Sequence, residues 1–466
     1  MKSIRLILSV AVVTLVSTSC QTLVEKWSPD GGTPTAPVKF KHGGSAGKSG
    51  PASSGEWWKD FNDPVLTDLM KAVEMSNPDV GAAIARVDQA YALLGITGAQ
   101  RFPVVSGDTS YKSLRDSPNT LRFPIDEVEF DQYRLAVNAS WELDLWGRVR
   151  GAYQREKFNA EAAKAEFENV LLSFRATAAR QYFALQFAKR DAEILADAVD
   201  TRKEALRLQN ALSDRGAGTD VDVARAQTEL DSTLVELQGL ERTAGKLENS
   251  IAILAGRAPS EFHVSSSSEF RVPRIPAGIP TDLLARRPDL RAAENKLLAA
   301  SRDAGIAKTN FLPRLTLTGT GGVASLKASN LFAGKDSFFF SLGPQLDIPI
   351  FQAGSVGSAN ERARAAWEEA AENYRSVLLT AVREVEDSLL DLQVLSKQSA
   401  TQTRATDAAA KATGLATKRF DRGAASYFEV IDAQRTELQT RRNANILKSE
   451  QAAATVQLIQ ALGGQW

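Results

Sequence analysis

The sequence predicts a mixed fold of long coiled-coil helices and membrane β-strands, built twice along the chain and closed by three copies into a twelve-stranded barrel that continues into a long helical barrel. Three observations lead there. First, the chain repeats itself: RGAGTDVDVARAQ begins at Arg215, and RGAASYFEVIDAQ begins at Arg422. Leu171-Leu172 precedes the first copy and Leu378-Leu379 the second at the same offset of 207 residues (423 − 216). Pro78-Asp79 and Pro288-Asp289 repeat upstream at a slightly longer offset. A repeat this long is a duplication, and two similar halves suit a ring or tube better than one catalytic cleft. Second, each half carries two segments of period-two hydrophobicity. Third, each half then runs into a proline-free stretch too long for a compact domain.

Taken from the N-terminus, Lys2 and Arg5 precede the apolar run Leu6 to Val16 and the small residues Ser17-Thr18-Ser19, the pattern of an export signal over residues 1–19. The run is too short for a convincing spanning helix, and no later segment supplies one. Cys20 is the only cysteine. Its position resembles the lipid-modified cysteine of bacterial lipoproteins, although Ser17 stands where that motif usually has an aliphatic residue, and the same small residues fit ordinary cleavage. Gln21, rather than Asp, resembles lipoproteins sorted to the outer membrane. Residues 20–58 then read as a lipid-anchored linker, rich in Gly, Ser and Pro from Ser28 to Gly55. Residues 59–270 form the first structural repeat and 271–466 the second.

In the first repeat, strands are expected at Val104 to Lys112 and Tyr133 to Trp146. The odd positions of the latter are Tyr133, Leu135, Val137, Ala139, Trp141, Leu143 and Leu145, whereas Arg134, Asn138, Ser140, Glu142 and Asp144 are even. Such a strand offers one face to lipid and one to water. Arg314 to Val323 and Phe338 to Phe351 are the counterparts, with Ser113 to Asp131 and Ser325 to Lys335 as exposed loops. For any one strand alone a half-buried soluble sheet is the favoured reading, and the combination with an export signal reverses that preference. Four strands cannot close a barrel, and an open edge in lipid leaves backbone groups unsatisfied at several kcal/mol each. Oligomerisation follows, and three copies give an even strand number within the outer-membrane range.

From Gly147 to about Ser213, and again from Ser358 to Arg419, Ala, Glu, Lys, Arg, Leu and Gln dominate. At 1.5 Å per residue the first would reach roughly 100 Å. Leu171, Phe174, Ala178 and Leu185 recur at coiled-coil spacing. Gly216, Gly218 and Gly423 allow a reversal into shorter helices at about Asp220 to Ala255 and Tyr427 to Leu462, with Thr219, Asp220 or Ser426 placed to cap them.

Composition excludes several functions. Lys plus Arg and Asp plus Glu number 56 each, so there is no broad cationic surface for nucleic acid. His42, His263 and Cys20 are too few for a metal centre or a histidine-dependent nucleophile. No phosphate-binding glycine loop is present.

The ordered motifs GEWWKDFNDPVLTDLMKAV from Gly55, NPDV from Asn77, IPTDLLARRPDLRAAE from Ile279, FLPRLTLTG from Phe311 and RGAASYFEVIDAQ from Arg422 resemble the TolC/OprM-type outer-membrane factors, specifically the lipoprotein or NodT branch. The match covers nearly the whole mature chain. It implies a homotrimer in the outer membrane of a Gram-negative bacterium, with a short β-barrel and a long periplasmic α-barrel. It implies no enzymatic activity and no cofactor beyond a covalent lipid on Cys20. Implied partners are outer-membrane lipid, a periplasmic adaptor (a membrane fusion protein) and an inner-membrane pump, commonly of the resistance-nodulation-division type, for which the chain is a passive multidrug exit duct. In the family the hairpin tips meet the adaptor, which here implicates Arg215, Gly216, Arg422 and Gly423. The glycines also have a plain role as turn residues, and the arginines as cations at a helix end. The family narrows its periplasmic end with inward carboxylates; the matching positions are Asp222, Glu429 and Asp432, each of which also reads as an ordinary exposed helix acid. The basic residue that locks some relatives near Ala425 is missing here, leaving Arg225 or Arg435 to substitute. The rival function is a structural coiled-coil lipoprotein tethering the outer membrane to the periplasm, for which the four strands would have no use.

Overall fold

The computed structural model describes residues 40–41, 55–115, 129–265, 271–273, 275 and 286–464. Cys20, the signal segment and most of the linker lie outside the described residues. A 3-10 turn, Trp57–Phe61, leads into α1 (Pro64–Ser76), α2 (Pro78–Ala99), β1 (Val104–Arg115), β2 (Glu129–Glu142), α3 (Arg148–Asp214) and α4 (Asp220–Leu254). The second half follows with α5 (Pro288–Thr309), β3 (Arg314–Ser325), β4 (Phe338–Asp347), α6 (Ser355–Asp421) and α7 (Tyr427–Ala461). The duplication is visible in element lengths: α3 and α6 each have 67 residues, and α4 and α7 each have 35.

The boundaries differ from the sequence expectation for local reasons. The strands of the first hairpin extend to Arg115 and back from Glu129, into the segment read as loop; residues 116–128 are outside the described residues. β2 stops at Glu142 instead of Trp146 because Asp144 turns to a positive φ of 27° and its carboxylate accepts the Val149 and Arg150 amides at 2.8 and 2.9 Å. Those amides are among the unpaired donors of the start of α3, so the chain exchanges strand pairing for a helix cap. Likewise β4 ends at Asp347, short of Phe351. Trp57 and Trp58, within the segment assigned to the linker, are buried core residues.

The described residues fall into two compact units, and neither is a repeat. One takes Val87–Ala163 and Ala293–Tyr374; the other takes Pro34–Arg86, Lys164–Ala292 and Arg375–Trp466. The first holds the β-sheet. The second holds a core in which Trp57, Phe61, Leu66, Met70 and Val73 pack on Tyr182, Phe183 and Leu185 of α3, Ile251 of α4, and Val456 and Ile459 of α7. Asp63 is buried there because it has two tasks: it caps α1 by accepting the Val65 and Leu66 amides, and it accepts the Tyr182 hydroxyl at 2.6 Å.

The duplicated helix ends are secured by different chemistry. The Asn77 side chain caps α2 and donates to the Leu254 carbonyl at the end of α4, 2.9 Å away. In the second half Arg287 occupies the residue before proline and donates to the Ala461 carbonyl at the end of α7, 2.8 Å away. Each thereby satisfies an orphan carbonyl of a helix terminus. Gly256, just past α4, has φ +66°, and a Cβ there would stand 2.0 Å from the Ser76 carbonyl oxygen. At the hairpin tip Gly216 has a similar φ, +69°, with open space around it. Gly216→Ala should therefore cost only the left-handed backbone penalty of about 1–2 kcal/mol. Gly256→Ala adds a backbone collision and should lower the assembly's melting temperature by clearly more; equal shifts would contradict the close approach of α1 and α4.

Candidate functional site: the membrane sheet and the hairpin tips

The four strands pair antiparallel in the order β1-β2-β3-β4. Register sorts the side chains. One row across the sheet joins Gly107, Val137, Gly321 and Phe340, and its neighbours join Thr109, Leu135, Val323 and Phe338. Trp141, Leu317, Ala139 and Leu342 continue this face, on which Phe340 is 75% and Val137 56% exposed while Trp141, Leu317 and Val323 are half-buried. The opposite face carries Ser106, Asn138, Thr320 and Ser341 in register, with Asp108 two residues along β1 on the same face. Here Asn138 donates to Asp108 at 2.6 Å and its side-chain oxygen accepts the Thr320 hydroxyl at 2.9 Å. Arg134 stacks on Phe339, 4.8 Å from its ring centre. An exposed apolar face backed by a bonded polar face is what a strand between lipid and a water-filled lumen requires. β1 and β4 each keep one unpaired edge in the protomer.

At the tips, Gly216 and Gly423 adopt φ of +69° and +70°, and the chain reverses through matching bonds: the Ala217 amide donates to the Leu212 carbonyl, and the Ala424 amide to the Arg419 carbonyl. Arg215 and Arg422 sit exposed beside these glycines. Thr219 caps α4 by accepting the Asp222 amide, while Ser426 makes no such side-chain bond to α7.

The three carboxylates expected at the gate bind locally. Asp222 accepts the Thr219 hydroxyl at 2.7 Å and lies 3.9 Å from Arg225. Glu429 pairs with Arg419 at 3.0 Å across its own tip. Asp432 is exposed, and its charge helps to hold the Arg435 guanidinium protonated. No described bond joins the three to one another.

A different acid joins the two hairpins. Glu229 of α4, 9% exposed, takes Arg202 of α3 at 3.3 Å and Arg435 of α7. Arg202 also donates to the Glu229 carbonyl at 3.0 Å. Burial pushes the Arg202 pKa down, opposed by Glu229, whereas the bond from Glu229 first of all raises that of Arg435. Nearby, Arg442 of α7 reaches Asp191 of α3 at 3.2 Å and also Glu236 of α4. Of these residues the sequence motifs point only to Arg435, as a substitute latch; Glu229, Arg202, Asp191 and Arg442 stand in no motif. A signal existed: at the 207-residue offset, Glu229 faces Thr436, Arg202 faces Ala409 and Arg435 faces Thr228. Glu229 and Arg435, each charged in one repeat alone, meet across the repeats, whereas Arg202 and Glu229 lie in the same one.

The family model for outer membrane efflux proteins matches residues 69–257 and 279–464, one segment in each repeat. The chain belongs to the outer membrane efflux protein family. It is 30% identical over 428 residues to the pyoverdine export outer membrane protein OpmQ of Pseudomonas aeruginosa, covering 91% of this chain and 90% of that one. It is also 30% identical to the toluene efflux pump outer membrane protein TtgI of Pseudomonas putida, covering 94% and 95%. Among solved structures, the outer-membrane channel OprN superposes with a TM-score of 0.87 at 29% identity, covering 94% of this chain and 98% of that one. The Campylobacter jejuni CmeC channel gives 0.87 at 26% identity, with 94% of each covered. This efflux protein is thus an outer-membrane channel of the TolC type, its sheet in the membrane and its helices in the periplasm. The tether reading is set aside: a tether has no use for an amphipathic four-stranded sheet.

Proposed function

We propose that three copies of this efflux protein form the exit duct of a tripartite system, fed by a periplasmic adaptor and an inner-membrane pump of the resistance-nodulation-division type. The sheet carries this reading. Its two free edges lie on a strand set with one lipid-compatible face, and pairing β1 of one copy with β4 of the next removes every edge. Twelve strands result. The resemblance to TolC/OprM-type factors supports the adaptor and pump, with Arg215, Gly216, Arg422 and Gly423 at the docking tips. Cys20 supplies a covalent lipid in the same reading. Relatives named for pyoverdine, toluene and cation export all match along most of the chain, so cargo selection belongs to the pump.

Asp222, Glu429 and Asp432, repeated three times, would gather like charges at the periplasmic end and favour cations there. The Glu229–Arg202–Arg435 clasp holds the two hairpins of each protomer together behind that ring. The experiment is planar-bilayer conductance of the purified protein, with its oligomeric mass measured in the same detergent. A trimer with small cation-favouring channels is expected, whereas a non-conducting monomer would overturn the duct. In the assembled trimer, Glu429→Ala with Asp432→Ala should raise conductance, as should Glu229→Gln by releasing the clasp. Unchanged conductance in the first variant removes those carboxylates from the gate.

A further inference from the structure

The register brings one end of every strand to the helical side of the sheet. Val104 opposes Ser140, Glu142 opposes Thr316, and Arg314 opposes Asp347. Large apolar side chains gather at that end without covering one another: Phe102 just before β1, Phe311 just before β3 and Phe351 just after β4, the last 86% exposed. They flank the paired strands, whose lipid-facing side carries Trp141, Leu317 and Leu346 near this end. Two indoles are pinned at the same junction, Trp141 donating to the Arg101 carbonyl at 3.1 Å and Trp146 to the Pro313 carbonyl at 2.6 Å. Amphipathic rings at this level mark the boundary between acyl chains and headgroups.

The charges at this end do not cancel. Glu142 is taken by Arg148 at 2.9 Å and Asp144 by Arg150 at 3.1 Å. Asp303 is taken by Arg155 at 2.8 Å. Asp347 and Arg314 oppose each other on the lumen-facing row. Arg101 and Lys308 remain, both exposed, and neither has an ion-pair partner among the described residues. Arg101 lies with its guanidinium over the Tyr153 ring, 4.9 Å from its centre, a contact that uses none of its N–H groups for an ion pair. Arg101 lies three residues before β1 and Lys308 six residues before β3.

We propose that this end of the sheet binds the anionic headgroups of periplasmic-leaflet phospholipid, with Arg101 and Lys308 meeting phosphate above an apolar girdle of Phe102, Phe311 and Phe351. The site rests on the membrane reading of the sheet and is independent of what the duct exports. It would fix insertion depth at the strand-to-helix junction, where a vertical slip would pull polar helix into lipid.

The test is native mass spectrometry of full-length trimer released from nanodiscs made of equal phosphatidylethanolamine and phosphatidylglycerol. Wild type should retain phosphatidylglycerol preferentially, by about fivefold for each cation. Arg101→Gln with Lys308→Gln should abolish the preference, while Arg101→Lys with Lys308→Arg, and the lumen-row control Arg134→Gln, should keep it. Absence of preference in wild type, or a preference unchanged in the double-glutamine variant, overturns the proposal. Should the double-glutamine variant fail to assemble, wild type itself decides: the preference must fall as salt is raised, and a salt-insensitive preference overturns it. Protein that enters nanodiscs as a trimer without the preference loses the headgroup site and keeps its reading as a duct.

Discussion

Replacing Arg287 with alanine is expected to remove nearly all assembled protein from the outer membrane. The side chain is 7% exposed and saturated: it forks onto Asp289 at 2.7 and 3.0 Å, reaches Glu384 of α6 at 2.8 Å, and donates to the Ala461 carbonyl at the end of α7. Burial works against its charge, but the two carboxylates more than reverse this and its pKa is raised. Alanine would leave two carboxylates and a helix-end carbonyl without their shared donor. Breaking a buried pair in this way typically costs about 3–5 kcal/mol, a large part of a domain's total stability. Lysine keeps the charge and loses the fork, so Arg287→Lys should fall between. Immunoblotting of unheated outer-membrane fractions reads the trimer directly. Wild-type levels for Arg287→Ala would show that the α5, α6 and α7 ends are held by packing alone.

Val137→Arg should be the most damaging single charge on the sheet. Val137 lies in the apolar row between Gly107 and Gly321, so no large neighbour shields it and lipid must. Arginine on the lipid face of a barrel costs about 2–4 kcal/mol at the membrane midplane, and in a trimer the penalty recurs in each copy. Ser140→Arg, on the lumen-facing row of the same strand, is the control and should assemble normally. Equal loss from both variants, read as the fraction of folded trimer after reconstitution, would mean that the rows are not divided between lipid and water. If Val137→Arg is the milder of the two, the faces are assigned the wrong way round.

Much of this protein was legible before any coordinates. Strand positions, long helices and tip glycines follow from local rules: period two, freedom from proline, and glycine where φ must be positive. Such rules act over a few residues, and the duplication allowed each to be read twice. Thr219 as a cap was legible for the same reason, whereas Ser426, its counterpart, makes no capping bond.

What the sequence by itself determined is therefore the four strands, the long and short helices of each hairpin with their order, and the apolar face of β2. The tertiary structure alone decided how the repeats share their folding. Each compact unit draws on both halves: in one, β2 of the first half pairs with β3 of the second, and in the other Tyr182 and Phe183 of α3 share a core with Val456 and Ile459 of α7. It also decided which acids matter between the hairpins. Asp222 and Glu429, the acids to which the sequence points, bond within their own tips, while Glu229, one acid among many in a polar helix, is the one placed between two arginines. Periodicity reports which side of a helix is buried; it carries no information on what charge waits across a gap some two hundred residues away, and that pairing is fixed only when the helices pack.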